Sequence, residues 1–218
     1  MFDIAIDKNG QMTGSAAVPL SGGGLGGELV SVDKSTAHCT MLSSTNGLPP
    51  SSLTYVPAGT VLPDREALVG YGQDTYLLVD PSNGSVTPIG MLNNGQSGGT
   101  HWVSSGDIVS IINGGTYLTV TGAASGGDRI VEVDPKTGAL IRIIGDVGVT
   151  AILGLGYWGG VAYGFSGDGA PGPLNMPGHL FQIDLANGGA ATDIPIPQAP
   201  PDLSFFGAGT TTSAPIVP

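Results

Sequence analysis

Charge is what this chain has least of. Only 11% of its 218 residues are Asp, Glu, Lys or Arg, and the basic residues number 6 against 17 acidic ones. No Lys/Arg cluster occurs, so the attraction to phosphate that underlies nucleic-acid binding is missing. A formal charge of −11 also sets the chain against anionic membrane surfaces. No apolar run approaches the roughly 20 residues a spanning helix needs, so membrane insertion is not expected. One cysteine, Cys39, excludes an internal disulfide and a cysteine zinc knuckle. Met1-Phe2-Asp3 leads directly into strand-like sequence, without the pattern of a signal peptide. Gly, Ser and Thr in excess over Lys still fit an exported protein, so the expected location is secreted or cell-surface, with a leader removed.

What the chain has in quantity is glycine (38) and proline (17). Recurring every few residues, they interrupt long helices. With 40% apolar residues and little charge, the chain nonetheless has enough apolar surface to fold. The class that remains is all-β with many turns.

Self-similarity supplies the architecture. Leu29-Val30-Ser31-Val32-Asp33, Tyr76-Leu77-Leu78-Val79-Asp80, Ile130-Val131-Glu132-Val133-Asp134 and Leu180-Phe181-Gln182-Ile183-Asp184 share one form, with the Asp residues 47, 54 and 50 positions apart. Three continue into turns, Asp80-Pro81-Ser82-Asn83-Gly84, Asp134-Pro135-Lys136-Thr137-Gly138 and Asp184-Leu185-Ala186-Asn187-Gly188. Asp accepts backbone N–H bonds there, Pro presets φ, and Gly takes the positive φ that ends the turn. These four Asp residues read as turn formers, since none lies in a calcium loop of the D-x-[DN]-x-[DN]-G type.

Upstream of each such hairpin lies another pair of strands, whose first members begin at Asp3, Ser52, Asp107 and Gly154. Four strands per unit of about 50 residues, repeated four times, predict a four-bladed β-propeller, with a β-sandwich or irregular solenoid as rival. The expected domain covers 1–197, with blades at approximately 1–44, 45–92, 93–145 and 146–197. The tail, 198–218, is a candidate latch across the seam. Missing N-terminal residues, or two chains completing one ring, are the alternatives.

Ser105-Gly106-Asp107, Gly115 to Val120, Val133 to Leu140, Ala162 to Phe165 and Gly207 to Pro215 resemble stretches of exported bacterial proteins with propeller-type repeats and D-P-x-T-G hairpins, a group of unknown function. The resemblance implies export and a propeller. It assigns no functional residue.

In a propeller the first strand of each blade lines the central channel, and function sits on loops around its mouth. The longest loops, Ser21–Gly27, Asn93–Ser104, Gly122–Asp128 and Ser166–Gly178, open on one face. Alignment of the inner strands sets Asp3 and Asp107 opposite each other at that mouth. Two facing carboxylates need a cation or a shared proton, and Ca2+ suits them. The competing reading has each Asp accepting backbone N–H bonds at its strand start and tying blades together. His101, Trp102 and His179 form a candidate ligand pocket on the same face, with the indole stacking on a sugar. Their competing roles are a plug between blades for Trp102 and solvated imidazoles for the histidines. Tyr157-Trp158 are expected in the core. Ser21–Gly27 has the glycines of a phosphate loop without its Lys-Ser/Thr, and reads as a flexible connection. No G-x-S-x-G elbow or defensible Ser-His-Asp spacing occurs.

Three functions follow. The first is a non-enzymatic extracellular recognition module binding a glycan, a surface protein or a small ligand on the loop face. The second is a metal-assisted hydrolase or lyase with a channel cation and His101 or His179 as base. The third is a self-assembling surface protein, a homo-oligomer.

Overall fold

The computed structural model describes residues 2–21, 23–95, 99–122, 127–167, 178–198, 200 and 203–217. Among the described residues, sixteen strands form four separate four-stranded antiparallel sheets, each a simple up-and-down meander. Blade 1 comprises β1 (Asp3–Ile6), β2 (Met12–Pro19), β3 (Leu25–Val32) and β4 (Cys39–Thr45). Blade 2 comprises β5 (Ser52–Val56), β6 (Ala67–Gly72), β7 (Thr75–Asp80) and β8 (Ser85–Met91). In blade 3 the strands are β9 (Trp102–Ser110), β10 (Thr116–Gly122), β11 (Arg129–Val133) and β12 (Leu140–Asp146). In blade 4 they are β13 (Ile152–Trp158), β14 (Val161–Ser166), β15 (Leu180–Ile183) and β16 (Ala191–Ile194). The protein is a four-bladed β-propeller.

The repeated Asp turns behave alike. Oδ1 of Asp80 accepts the N–H of Ser82, Oδ1 of Asp134 those of Lys136 and Thr137, and Oδ1 of Asp184 those of Ala186 and Asn187. Gly84, Gly138 and Gly188 end these turns at φ 74°, 67° and 87°. In blade 1 the same position is Ala37, at φ 57°. An L-residue is strained there, because its Cβ crowds the following carbonyl.

Apolar burial holds adjacent blades together. Ala5 and Leu29 pack on Leu53, Leu68 and Val79 between blades 1 and 2. Tyr71, Tyr76 and Leu92 meet Trp102, Ile108 and Leu118 between blades 2 and 3. Val109, Ile111 and Ile130 meet Ile152, Leu155 and Ile183 between blades 3 and 4. Each fully buried Leu or Ile contributes about 1.5–3 kcal/mol relative to exposure. Farther out, glycines let backbones touch. A Cβ at Gly84 would fall 1.8 Å from the carbonyl oxygen of Ser44, one at Gly90 1.8 Å from that of Thr137, and one at Gly145 1.6 Å from that of Gly188. At each of these junctions the outer strand of one blade, or the residues just beside it, therefore rests on the Asp-turn hairpin of the next.

The junction of blades 4 and 1 is built differently. Here the C-terminal segment inserts. Gly207 and Gly209 lie against Asp3, Ile4 and Ile6 of β1, and Gly154 of β13 lies against Gly207 and Ala208. Thr211 bridges Ile6 in parallel, and Oγ1 of Thr210 accepts the N–H of Tyr157 at 2.9 Å. Farther along, the N–H of Ile112 donates to the Thr212 carbonyl and that of Gly159 to the Pro215 carbonyl. Thr212 also bonds Glu66 of blade 2 through its hydroxyl. The strap thus runs along the channel and touches all four blades.

Several local expectations change. Ser21–Gly27 is not a loose connection throughout, because Leu25, Gly26 and Gly27 pair with Pro19, Val18 and Ala17 in an extended β2–β3 hairpin. β9 begins five residues ahead of Asp107, at Trp102. Residues 96–98, 123–126 and 168–177 of the long loops, Gly22, and 199, 201, 202 and 218 of the tail lie outside the described residues.

Candidate functional site

The channel mouth is organised by Asp3 and Asp107, at the loop-face ends of blades 1 and 3. Both are essentially buried. Oδ1 of Asp3 accepts the N–H of Ile4 at 2.8 Å, and its Oδ2 accepts the N–H of Leu53 in blade 2 at 2.6 Å. Asp107 repeats the pattern, with Oδ1 accepting from Ile108 at 2.6 Å and Oδ2 from Leu155 in blade 4 at 2.7 Å. Each carboxyl therefore ties its own blade to the next. The strap adds the N–H of Ala208 on Asp107, and Gly207 packs on Asp3.

The two carboxyls also hydrogen-bond each other. Burial raises the pKa of Asp3 well above the ordinary carboxylate range, and the neighbouring Asp107 raises it further. Burial pushes Asp107 up to about 7, against the opposing pull of its hydrogen bond from Asp3 and its backbone N–H donors. Two carboxyls in contact away from water keep their protons to higher pH than exposed ones, because both cannot ionise cheaply. The arrangement has the acceptor oxygens to hold a proton. Each of these four oxygens also accepts a backbone N–H, which fixes both carboxyls in place.

Above this pair the mouth has two depressions that share Phe2 and Phe206. One, of about 250 Å³, is walled by Phe2, Ile4, Phe205 and Phe206 and reaches down to Asp3. The other, of about 160 Å³, is rimmed by Ser51, Ser104 and Ser105 beside Gly106 and Leu153. Phe206 is 58% exposed. Phe205 is anchored edge-on against Phe165 of β14, with ring centres 5.3 Å apart. The aromatic surface belongs partly to the strap, so only tertiary structure brings it beside Phe2 and the serines.

His101, Trp102 and His179 occupy separate settings. Trp102 is 4% exposed, in the core between blades 2 and 3, with the Arg129 guanidinium 5.4 Å above its ring. Asn93 brackets its backbone, accepting its N–H and donating to its carbonyl. His101 is 68% exposed, with Nε2 3.3 Å from Oδ2 of Asp74 in blade 2. His179 belongs to blade 4, where Nδ1 lies 2.9 Å from Oδ1 of Asp193 and the ring stacks on Phe181. The tryptophan expected in the core, Trp158, is 61% exposed at the β13–β14 turn, while Tyr157 beside it is buried. Strand alternation, together with the tight turn at Gly159 and Gly160, turns the indole outward. Among the described residues no group of three His, Cys, Asp or Glu is spaced to hold a metal ion.

No family model and no curated protein matches the chain. Among solved structures, it is similar to an oligogalacturonate lyase in complex with manganese, at 14% identity and a TM-score of 0.42. The match covers 88% of this chain and 51% of that one, so the chain spans about half the length of that protein.

Proposed function

We propose that this propeller is a non-enzymatic recognition module whose loop-face channel mouth binds a small neutral glycan. The observation that carries this reading is the composition of the mouth. Two phenylalanine rings offer a face for the C–H surface of a sugar, and Ser51 and Ser104 supply hydroxyls at the rim. The carboxyls beneath are held by backbone donors of two blades each, a structural use that supports reading the depression as a recognition surface. A chain of formal charge −11 favours neutral over acidic sugars. The test is a neutral-glycan array followed by calorimetry with Phe206→Ala. Loss of one stacking face predicts roughly tenfold weaker binding. No neutral glycan bound, or equal binding by the variant, refutes the reading.

A further inference from the structure

The inner strands of blades 2 and 4 carry a tyrosine at the same place. Leu53 and Leu155 give their N–H groups to the matching carboxyls of Asp3 and Asp107, so Tyr55 and Tyr157, two residues on, are equivalent. What faces each tyrosine across its junction differs. In blade 3, Tyr117 stands opposite Val109 and stacks on Tyr157, with ring centres 6.3 Å apart and 14° between the planes. In blade 1, Thr13 stands opposite Ala5, the residue matching Val109, and its Oγ1 lies 3.0 Å from the Tyr55 hydroxyl.

The next strands repeat the change. Glu132 and Arg142, ion-paired at 2.6 Å in the row of Tyr117, are replaced in the row of Thr13 by Ser31 and Thr40. At the junction of blades 2 and 3 the corresponding residue is Val69, buried in a cluster that Val61 and Leu62 also cover. The fourth junction holds the strap. Space for one aromatic ring is therefore left open between blades 1 and 2, near the β1–β2 turn and away from the mouth. It is a groove of about 520 Å³, walled by Thr13, Ser31 and Tyr55 and bounded by Asp7, Leu42 and Pro81. That volume lies in the range of small-molecule sites.

We propose that this groove binds a small phenol, its ring stacked on Tyr55 as Tyr117 stacks on Tyr157. The ligand brings from solution the ring that blade 3 carries in its own sequence. Aromatic pairs gain beyond the area they bury, and Leu42 and Pro81 cover the ring's edge. The hydroxyls of Thr13, Ser31 and Tyr55 both donate and accept, which suits the phenol oxygen. Among the described residues, Asp7 is the one charged side chain lining the groove, so a ring bearing a carboxylate is disfavoured. The groove shares no residue with the mouth, and the proposal stands whether or not a glycan binds there.

The experiment is titration of the whole chain with p-cresol, the tyrosine side chain as a free molecule, read by backbone amide NMR. Saturable shifts gathered at Thr13, Ser31 and Tyr55 are expected. The saturated counterpart, a methylcyclohexanol, has no π face and binds at least roughly threefold more weakly. Thr13→Tyr supplies the ring internally and abolishes the shifts. If that variant does not fold, Ser31→Phe fills the groove from β3 with the same expected loss. Phe206→Ala, at the mouth, leaves the titration unchanged. N-acetyltyrosinamide in place of p-cresol tells a tyrosine within a peptide from a free phenol, by which of the two binds more tightly. Shifts absent from the groove, or equal binding of the saturated ring, overturn the proposal. So does binding that survives in a folded groove-filling variant, or that is lost in Phe206→Ala.

Discussion

Asp3 and Asp107, 104 residues apart in the chain, hydrogen-bond each other at the channel mouth, and each also accepts a backbone N–H from the inner strand of the following blade. The pair stitches blade 1 to blade 2 and blade 3 to blade 4, and the contact between the two carboxyls joins the two halves. The strap lies on both carboxyls, so its seating and the pair's protonation are physically linked.

Stability is expected to fall as pH rises from about 4 through neutrality. Both carboxyls have raised pKa values in the folded state, against about 3.9 in an unfolded chain. The folded state therefore binds a proton that the unfolded state has released. That contribution is fully present below about pH 4 and is lost as pH climbs through the native-state value, which for Asp107 is about 7. Asp33, Asp80 and Asp184 act in the other direction, their pKa values lowered chiefly by turn hydrogen bonds, so their contribution is lost in acid. Urea unfolding across pH should show a maximum near pH 4, with a slope of at least one proton, about 1.4 kcal/mol per pH unit, between there and about pH 7. Asp107→Asn should flatten that slope. A slope between about pH 4 and 7 as steep in the variant as in the parent rules out a proton retained by Asp107.

The strap's fit against Asp3 makes Gly207 intolerant of a side chain. A Cβ there would sit 2.4 Å from Oδ1 of Asp3 and 2.9 Å from its Cα, with backbone on one side and a buried carboxyl on the other. Gly207→Ala is expected to cost about 1–3 kcal/mol, as overpacking does in a filled interior. Gly47→Ala, where nothing lies within 4 Å, serves as the control and is expected to be near neutral. Denaturant midpoints of the two variants decide the matter, and equal values would show that the strap is not tightly seated.

The Asp-turn hairpins give a prediction of opposite sign. Ala37→Gly relieves a left-handed backbone at φ 57° and is expected to stabilise by about 0.5–1 kcal/mol, net of the entropy that glycine adds to the unfolded chain. Gly138→Ala at the matching turn of blade 3 adds strain at φ 67° and drives a Cβ to 2.3 Å from the Tyr76 ring, so it destabilises by more than Ala37→Gly gains. Thermal midpoints moving apart in these directions is the expected outcome. A fall on Ala37→Gly refutes the strain argument.

The all-β class, the four units and the turn chemistry were legible in the residues because each depends on neighbours in sequence. Strand alternation, an Asp opening a turn and a glycine ending it are all decided within a few positions, as the series from Asp80 to Gly84 and from Asp134 to Gly138 shows. The alignment of inner strands also set Asp3 and Asp107 at one level, since propeller repeats fix the height of each strand start. Tertiary structure alone decided the rest. Which tryptophan is buried depended on the face each strand offers its neighbouring blade, and this put Trp102 in the core and Trp158 in solvent. His101 and His179 found carboxylate partners in different places because their blades are separate bodies, which spacing along the chain does not encode. The strap's path between β1 and β13, and the meeting of Phe2 with Phe206 over the carboxyl pair, join residues about 200 positions apart. Such contacts carry no local signal, because they arise only when ring closure brings the two ends of the chain to the same axis.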